Sequence, residues 1–410
     1  MAFEYPFLIQ ITSASISFSA SLVIMIMIKR ATLTTPYRRL IFGLSAADVI
    51  HSVGMITGPY ASPKGLSTCP WAVGNTGTCV ANGFLTVGGS IVVALYLLSL
   101  SLYFFLKLNK RMADTDFSRL FEKKMHFLII AFVFSFNLTA LLTDSFNPLP
   151  TGVVCQLARF PPGCALYPEV VGECTRGASH AMNLVYVLYY GVLPASLIGV
   201  TVFMVLLIRS AMYSERIYTL DADGPMRRRS PAGNFLNCIF CWYFEQDQRE
   251  NESDADYVLR LYRRETATQG SLYIGSFLLV NIMTLLIVIL NLAGLYDRPA
   301  VFQYMVSFLY PSMGFFNILI YCRPKVQKFQ FQYPHISWIR SFCLVVKAGG
   351  EVPDESADSH ALSLRCCCHP VEKPTETQVL SQPNEPESSS FGVFPYYHQA
   401  DKTKTLNEHS

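Results

Sequence analysis

The stretch Leu33–Ile50, LTTPYRRLIFGLSAADVI, decides how the chain is read. It opens on a Thr-Pro turn, passes the basic pair Arg38 and Arg39, and runs into an apolar helix that carries one carboxylate, Asp48. A carboxylate is costly to bury in hydrocarbon, so Asp48 is the first candidate for a functional site. His51 follows one helical turn later and shares its face. Counted from Leu40 at 1.5 Å per residue, Asp48 lies roughly 12 Å into its helix, near mid-depth.

Around this stretch the chain is built of similar apolar blocks. Of its 410 residues 51% are hydrophobic and 15% charged, and the mean hydropathy is +0.31. Soluble domains carry about 25% charged residues. Seven blocks reach the roughly 20 apolar residues that a bilayer-spanning helix needs: 7–28, 40–60, 79–106, 125–146, 181–208, 269–292 and 300–322. The first has no basic n-region and no small-residue cleavage site, and Lys29 and Arg30 follow it. It reads as a span and not as a signal peptide. A net charge of +3 gives no reason to expect nucleic acid as a partner.

Basic residues gather in alternate loops. The first loop holds Lys29, Arg30, Arg38 and Arg39, the third Lys107, Lys110, Arg111, Arg119, Lys123 and Lys124. The fifth holds a longer run that ends in Arg260, Arg263 and Arg264. Such residues stay on the cytoplasmic side. The expected fold is therefore an all-α membrane protein, a seven-transmembrane helix bundle with its N-terminus outside and its C-terminus cytoplasmic. A short extracellular N-terminus, 1–6, precedes the bundle, 7–322. A long cytoplasmic loop occupies 210–268, an interfacial basic segment 323–346, and a disordered polar tail 347–410.

Five cysteines fall in the segments placed outside: Cys69, Cys79, Cys155, Cys164 and Cys174. Outside is the oxidising side, where disulfides persist. The favoured pairs are Cys79–Cys155 and Cys164–Cys174. Cys79–Cys174 stays open, since connectivity does not follow from sequence. Cys238 and Cys241 have no second pair at zinc-ligand spacing, and Cys366, Cys367 and Cys368 with His369 are too cramped for a tetrahedron, so no metal is expected. Thioester lipidation of Cys322 and of Cys366 to Cys368 is the better reading of those thiols.

Other polar groups lie inside the blocks. Asn317 sits in the seventh, and Asn137, Asn281 and Asn291 in others. A carboxylate facing an asparagine can hold water or a cation, or it can fix helix packing by a hydrogen bond. Pro194 in the fifth block and Pro311 in the seventh each break a backbone ladder, and Gly314 follows Pro311 as a candidate hinge. His126, His180, Asp48 and His51 lie at different depths, which argues against a zinc hydrolase. No mid-span lysine suits a retinal protein, Asp48 is nearly alone where a proton pump needs a chain of carboxylates, and no repeated halves suggest a carrier. An enzyme is not expected, nor a cofactor.

Several motifs together resemble the G-protein-coupled receptors. Pro36 is followed, at the family's spacing, by Asp48 within LSAAD. Trp71, Gly74 and Cys79 match the family's first outer loop, Pro194 its proline in span 5, and Asn317-Ile318-Leu319-Ile320-Tyr321 its N-P-x-x-Y, with Ile318 in place of Pro. These features are of the rhodopsin-like class. The phrases YPSMGFFNILIYCRPK and GECTRG look closer to the cyclic-AMP-receptor-like group of unicellular eukaryotes. The likeness covers about residues 7 to 330. The third span ends SLYFFLKLNKR without D-R-Y, the sixth lacks the usual Trp and Pro, and the first has Ala20 where the family has Asn. The resemblance implies a plasma-membrane receptor with an extracellular ligand in the helix bundle and a heterotrimeric G protein as partner. It implies a switch and ion network of Asp48, Asn317 and Tyr321, and a G-protein face that includes Arg111, Arg263 and Arg264. The different-class alternatives are a seven-helix scaffold or adhesion-type membrane protein without G-protein coupling, and a small-solute carrier.

Overall fold

The computed structural model describes residues 5–31, 33–65, 71–149, 154–161, 164, 168–177, 180–220, 265–282, 286 and 300–350. The chain divides into two compact units, Met1–Ala361 and Leu362–Ser410. The second lies outside the described residues.

The first unit is a helix bundle whose helix starts are written into the sequence. Helix α1 (Tyr5–Arg30) carries its charges, Lys29 and Arg30, in its last turn. Helix α2 (Pro36–Ala61) begins on Thr35, whose hydroxyl accepts the Arg38 N–H at 3.4 Å. Pro36 takes the first helical position, where a missing N–H is harmless. Helix α3 (Thr76–Asn109) begins with a reciprocal cap. The Asn75 side chain accepts the Thr78 N–H at 3.0 Å, and the Thr78 hydroxyl accepts the Asn75 N–H at 2.8 Å. Helix α3 is buried along most of its length, from Cys79 to Phe104, and so lies at the centre.

A short helix α4 (Asp114–Phe117), a π-helical turn Ser118–Glu122 and helix α5 (Lys123–Leu142) follow one another without a break. Two strands follow, β1 (Phe146–Pro148) and β2 (Cys155–Leu157), paired antiparallel with Asn147 opposite Gln156. The sequence reading had no strands. The hairpin forms because this segment is tucked against the bundle, where buried backbone groups need partners. The Asn82 side chain supplies one, accepting the Cys155 N–H at 3.2 Å while donating to the Gly54 carbonyl at 2.7 Å. A short helix α6 (Pro168–Val171) precedes α7 (His180–Leu220), a continuous helix that contains Pro194. Helix α8 covers residues 265–282.

The stretch expected as one span over 300–322 is two helices, α9 (Ala300–Leu309) and α10 (Met313–Gln332). Pro311 has no N–H to continue the ladder, and the Ser312 N–H turns back to the Leu309 carbonyl at 3.0 Å. Helix α10 then runs past Cys322 and through Pro324 to Gln332. Helix α11 (Trp338–Lys347) follows, with Ser341 and Val345 buried and Ile339, Arg340 and Cys343 exposed. The expected interfacial segment 323–346 is thus the continuation of one helix and most of a second.

Among the described residues, five helical stretches are long and apolar enough to cross a membrane: Phe7–Arg30, Pro36–Ala61, Thr76–Asn109, Asp114–Leu142 and Asn183–Arg209. Part of the expected span 269–292 lies outside the described residues. Helix α5 exposes Phe127, Leu128, Ile130 and Phe134 on its outer side, and α7 exposes Val187, Ile198 and Val202. Apolar faces of this kind suit a hydrocarbon surround.

Candidate functional site

The site is built where α1, α2 and the break between α9 and α10 meet. Helix α1 contributes a ladder of hydroxyls, Ser13, Ser17 and Ser21, four residues apart and hence on one face. All three are buried. The Ser13 hydroxyl donates to the Phe308 carbonyl at 2.6 Å, an oxygen left over where the helix stops. Ser17 Oγ accepts the N–H of Gly314 at 2.7 Å. This N–H belongs to the first turn of α10, which has no intrahelical acceptor. The Ser17 hydroxyl itself donates to Asp48 Oδ2 at 3.0 Å, and Ser21 donates to the same oxygen at 2.7 Å.

Asp48 is fully buried, and these contacts are what allow it. One carboxylate oxygen has two hydroxyl donors. The group also lies at the N-terminal end of α10, where helix dipoles favour negative charge. Gly314 is essential to the approach. A β-carbon there would overlap Asp48 Oδ2, Ser21 Oγ and the Ser17 carbonyl.

The other side of the carboxylate is different. Asp48 Oδ1, Ser45 Oγ, Ser52 Oγ and both polar atoms of the Asn317 side chain are buried without a hydrogen-bond partner among the described residues. Ser45 and Ser52 lie three residues before and four after Asp48 on α2, and Asn317 lies three after Gly314 on α10, so each shares its helix's face. Beside Asp48, but not lined by Ser45, Ser52 or Asn317, is a cavity of about 30 Å³ whose polar lining is Asp48, His51, Ser90, Asn281 and Tyr310 and whose remaining lining is apolar. That is room for one or two waters or a small cation. Of the unpartnered atoms only Asp48 Oδ1 belongs to a residue lining this cavity, and a carboxylate oxygen suits water or a hard cation better than a soft metal. Among the described residues, no group of three or more His, Cys, Asp and Glu gathers as a metal site. His51 lies along the cavity with Nδ1 on the Thr86 carbonyl at 3.1 Å and its ring edge-on to Tyr310 at 5.3 Å.

The structure puts Asp48 on α2 against Gly314 of α10, with Asn317 three residues after Gly314 on that helix, and puts Tyr321 in a separate cluster. It lies one turn beyond Asn317 in an aromatic cluster, 6.5 Å from the Tyr37 ring, with Lys325 Nζ 4.2 Å above its own ring. Pro311 makes the break that the site uses, whereas Pro194 interrupts nothing in the run of α7. The disulfides are Cys79–Cys155, with S–S 2.01 Å, and Cys164–Cys174, the favoured pairs and not Cys79–Cys174. The lipidation expectation for Cys322 needs correction. Its thiol is fully buried in the core, so no acyl donor reaches it in this packing. The exposed thiol in this region is Cys343 on α11, which the sequence reading passed over. Arg111 is exposed at the end of α3, in a left-handed turn with φ 50°. Arg263, Arg264, Asn291, Cys69 and Cys366 to Cys368 lie outside the described residues.

Two further clusters had no place in the sequence reading. Arg39 forms an ion pair with Glu122 through Nε and a hydrogen bond of 2.7 Å through Nη2. Ser118 Oγ donates to the same carboxylate at 2.6 Å. At the end of α3, Lys107 Nζ donates to Asp114 Oδ1 at 2.7 Å, and the Tyr103 hydroxyl donates to that oxygen at 3.1 Å. Compared with known proteins, the chain matches no protein-family model and no curated protein.

Proposed function

We propose that the chain is a seven-span receptor of the plasma membrane, N-terminus outside and C-terminus cytoplasmic. In this reading it binds an extracellular ligand within the helix bundle and signals to a heterotrimeric G protein. One observation carries the reading. A buried carboxylate at mid-helix, satisfied on one side by α1 and unsatisfied on the other, sits against the one place where the last long helix of the bundle is broken. A static packing node would be expected to pair all its polar atoms. A group with one half unpaired among the described residues, beside a small cavity, suits two arrangements of similar energy. The disulfide-held hairpin adds to this, as a fixed roof under which a ligand can be held. The coupling partner rests on the sequence resemblance. The Lys107–Asp114–Tyr103 cluster stands at the end of α3, where the family's D-R-Y is missing.

The test is a ligand screen read by nucleotide exchange on a co-expressed heterotrimer, run with wild type and Asp48→Asn. The expected result is a ligand whose response shifts at least tenfold in potency or amplitude in Asp48→Asn, with surface expression preserved. Loss of surface expression in Asp48→Asn would leave Asp48 as a packing residue. The missing D-R-Y supports the second reading, a seven-helix scaffold without coupling. In that case surface expression persists and no ligand produces exchange.

A further inference from the structure

Between Arg298 and Gly350 the sequence has no acidic residue, while Arg323, Lys325, Lys328, Arg340 and Lys347 add positive charge. The sign then reverses at once. Glu351, Asp354, Glu355 and Asp358 fall within eight residues, and the next Lys or Arg is Arg365. A block of one sign is a common interaction segment. Residues 351–410 lie outside the described residues, but the point from which they start does not.

The fold fixes that point. Helix α11 ends in a left-handed turn at Gly349, φ 71°, and Gly350, φ 86°. Their N–H groups return to the Val346 carbonyl at 3.0 Å and the Val345 carbonyl at 2.8 Å, as where glycine closes a helix. The turn brings the chain back to the end of α1 that carries Lys29 and Arg30. A β-carbon on Gly350 would lie 2.7 Å from Lys325 Nζ and from Met27 Cε, and one on Gly349 would lie 3.1 Å from Arg30 Nη1. Glu351, the first acid, follows directly.

Arg38 joins the same surface, since its Nη1 donates at 2.5 Å to the carbonyl of Ala31, the residue after Arg30. Lys29 and Arg30 are exposed. The stretches that form this surface, 27–41 and 313–350, contain no Asp or Glu. Glu265, at the start of α8, acts on Arg323, so Arg323 is left out of the argument. Arg30 and Lys325 stand at the C-terminal end of α11, where the dipole favours cations. A helix end carries only about half a charge, so the surface stays positive.

We propose that the acidic segment 351–358 folds back on the basic surface of Lys29, Arg30, Arg38 and Lys325 and covers it. Eight extended residues reach about 26–29 Å, enough to cross the ends of α1 and α2, whose axes pack about 10 Å apart. Single surface ion pairs are weak and screened by salt. A short tether holds the acidic block at about millimolar local concentration, and it starts at the surface it neutralises. The docking stands by itself. Its use, shielding a face that a G protein would approach, rests on the receptor reading above.

Full-length protein in nanodiscs of phosphatidylcholine, with and without phosphatidylserine, is treated with a zero-length carbodiimide. The reagent joins a lysine amine to a carboxylate only where the two touch. Links from 351–358 are located by peptide mass spectrometry, with the exposed Lys123 and Lys124 of α5 as reference. Lys325 adjoins the start of the segment, so the links of Glu355 and Asp358 to Lys29 decide. The expected result is links to Lys29 at least fivefold more abundant than links to Lys123 or Lys124, in both lipids. The fourfold variant Glu351→Lys, Asp354→Lys, Glu355→Lys and Asp358→Lys is expected to raise nucleotide exchange on a heterotrimer at least twofold. Links spread evenly over Lys29, Lys123 and Lys124 overturn the docking. Links to Lys29 that vanish with phosphatidylserine assign the surface to lipid and overturn it too. Links as expected with exchange unchanged in the fourfold variant keep the docking and remove its use in signalling.

Discussion

Asp48 and Gly314 meet so closely that a β-carbon at residue 314 would overlap the Asp48 carboxylate. The two residues are on different helices, and the contact is made through Ser17, which donates to Asp48 and accepts the Gly314 N–H. A third helix thus bridges the carboxylate and the start of α10, and the broken helix is capped by a neighbour instead of by its own sequence.

Gly314→Ala tests that closeness. In an ordinary helix the change favours folding by up to about 1 kcal/mol, because alanine is the better helix former. Here the crowding reverses the sign, and a loss of about 1–3 kcal/mol is expected. Gly275→Ala, with open space around it, is expected to keep or raise stability. The readout is the melting temperature of the purified protein in detergent, and equal behaviour of the two variants would refute the overlap.

Ser17→Ala and Ser21→Ala separate the two hydroxyls. Ser17 serves two partners and Ser21 one. Losing Ser17 strands the Gly314 N–H and removes one donor to Asp48, at about 1–2 kcal/mol, and losing Ser21 costs about half as much. The order of the two melting temperatures checks this, with Ser17→Ala the lower.

Much of this node was legible and part was not, for physical reasons. Asp48 stood out because a charge in an apolar run is rare, and Asn317 because of its motif. Ser17 and Ser21 did not, since serines in a membrane helix return their hydroxyls to their own backbone at no visible cost, as Ser15 does to Ile11. Only the four-residue spacing of Ser13, Ser17 and Ser21 hinted at a shared face. Pro311 announced a distortion but not that its neighbours would be capped from α1. Glu122 looked like one charge among the lysines of a loop, because its partner Arg39 is distant in sequence and close only through the fold. The hairpin was hidden for a similar reason. Its strands are three residues each, too short for an alternating pattern.

The Arg39–Glu122 pair offers its own test. Glu122 is buried and Arg39 about a third exposed. Arg39→Met leaves a buried carboxylate with Ser118 and, at 3.8 Å, His126 Nε2 as its remaining partners, at an expected cost of about 2–3 kcal/mol after allowance for the exposure of Arg39. The double variant Arg39→Met with Glu122→Leu is expected to recover most of that loss. Additive losses in a double-mutant cycle would show that the two side chains do not act as a pair.

The disulfides are expected to differ in weight. Cys79–Cys155 closes a separation of 76 residues and Cys164–Cys174 one of 10. Loop-closure entropy makes the first worth roughly 4 kcal/mol and the second roughly 3 kcal/mol. Cys79→Ala together with Cys155→Ala should therefore lower the melting temperature more than Cys164→Ala with Cys174→Ala. The reverse order would mean that the hairpin is held chiefly by Asn82 and its other contacts.

The central claim is that this bundle has two packings and that one of them acts on a G protein. The most direct measurement needs no ligand. Gly270 of α8 lies where a β-carbon would come within 3.1 Å of the Phe104 ring on α3, so Gly270→Val disfavours the packing described; it and wild type are reconstituted separately in liposomes with a purified heterotrimer, and nucleotide exchange is timed. The account predicts exchange at least threefold faster with Gly270→Val than with wild type, and a return toward the wild-type rate when Asp48→Asn is added. Exchange with the well-folded Gly270→Val protein no faster than in liposomes without protein would contradict it.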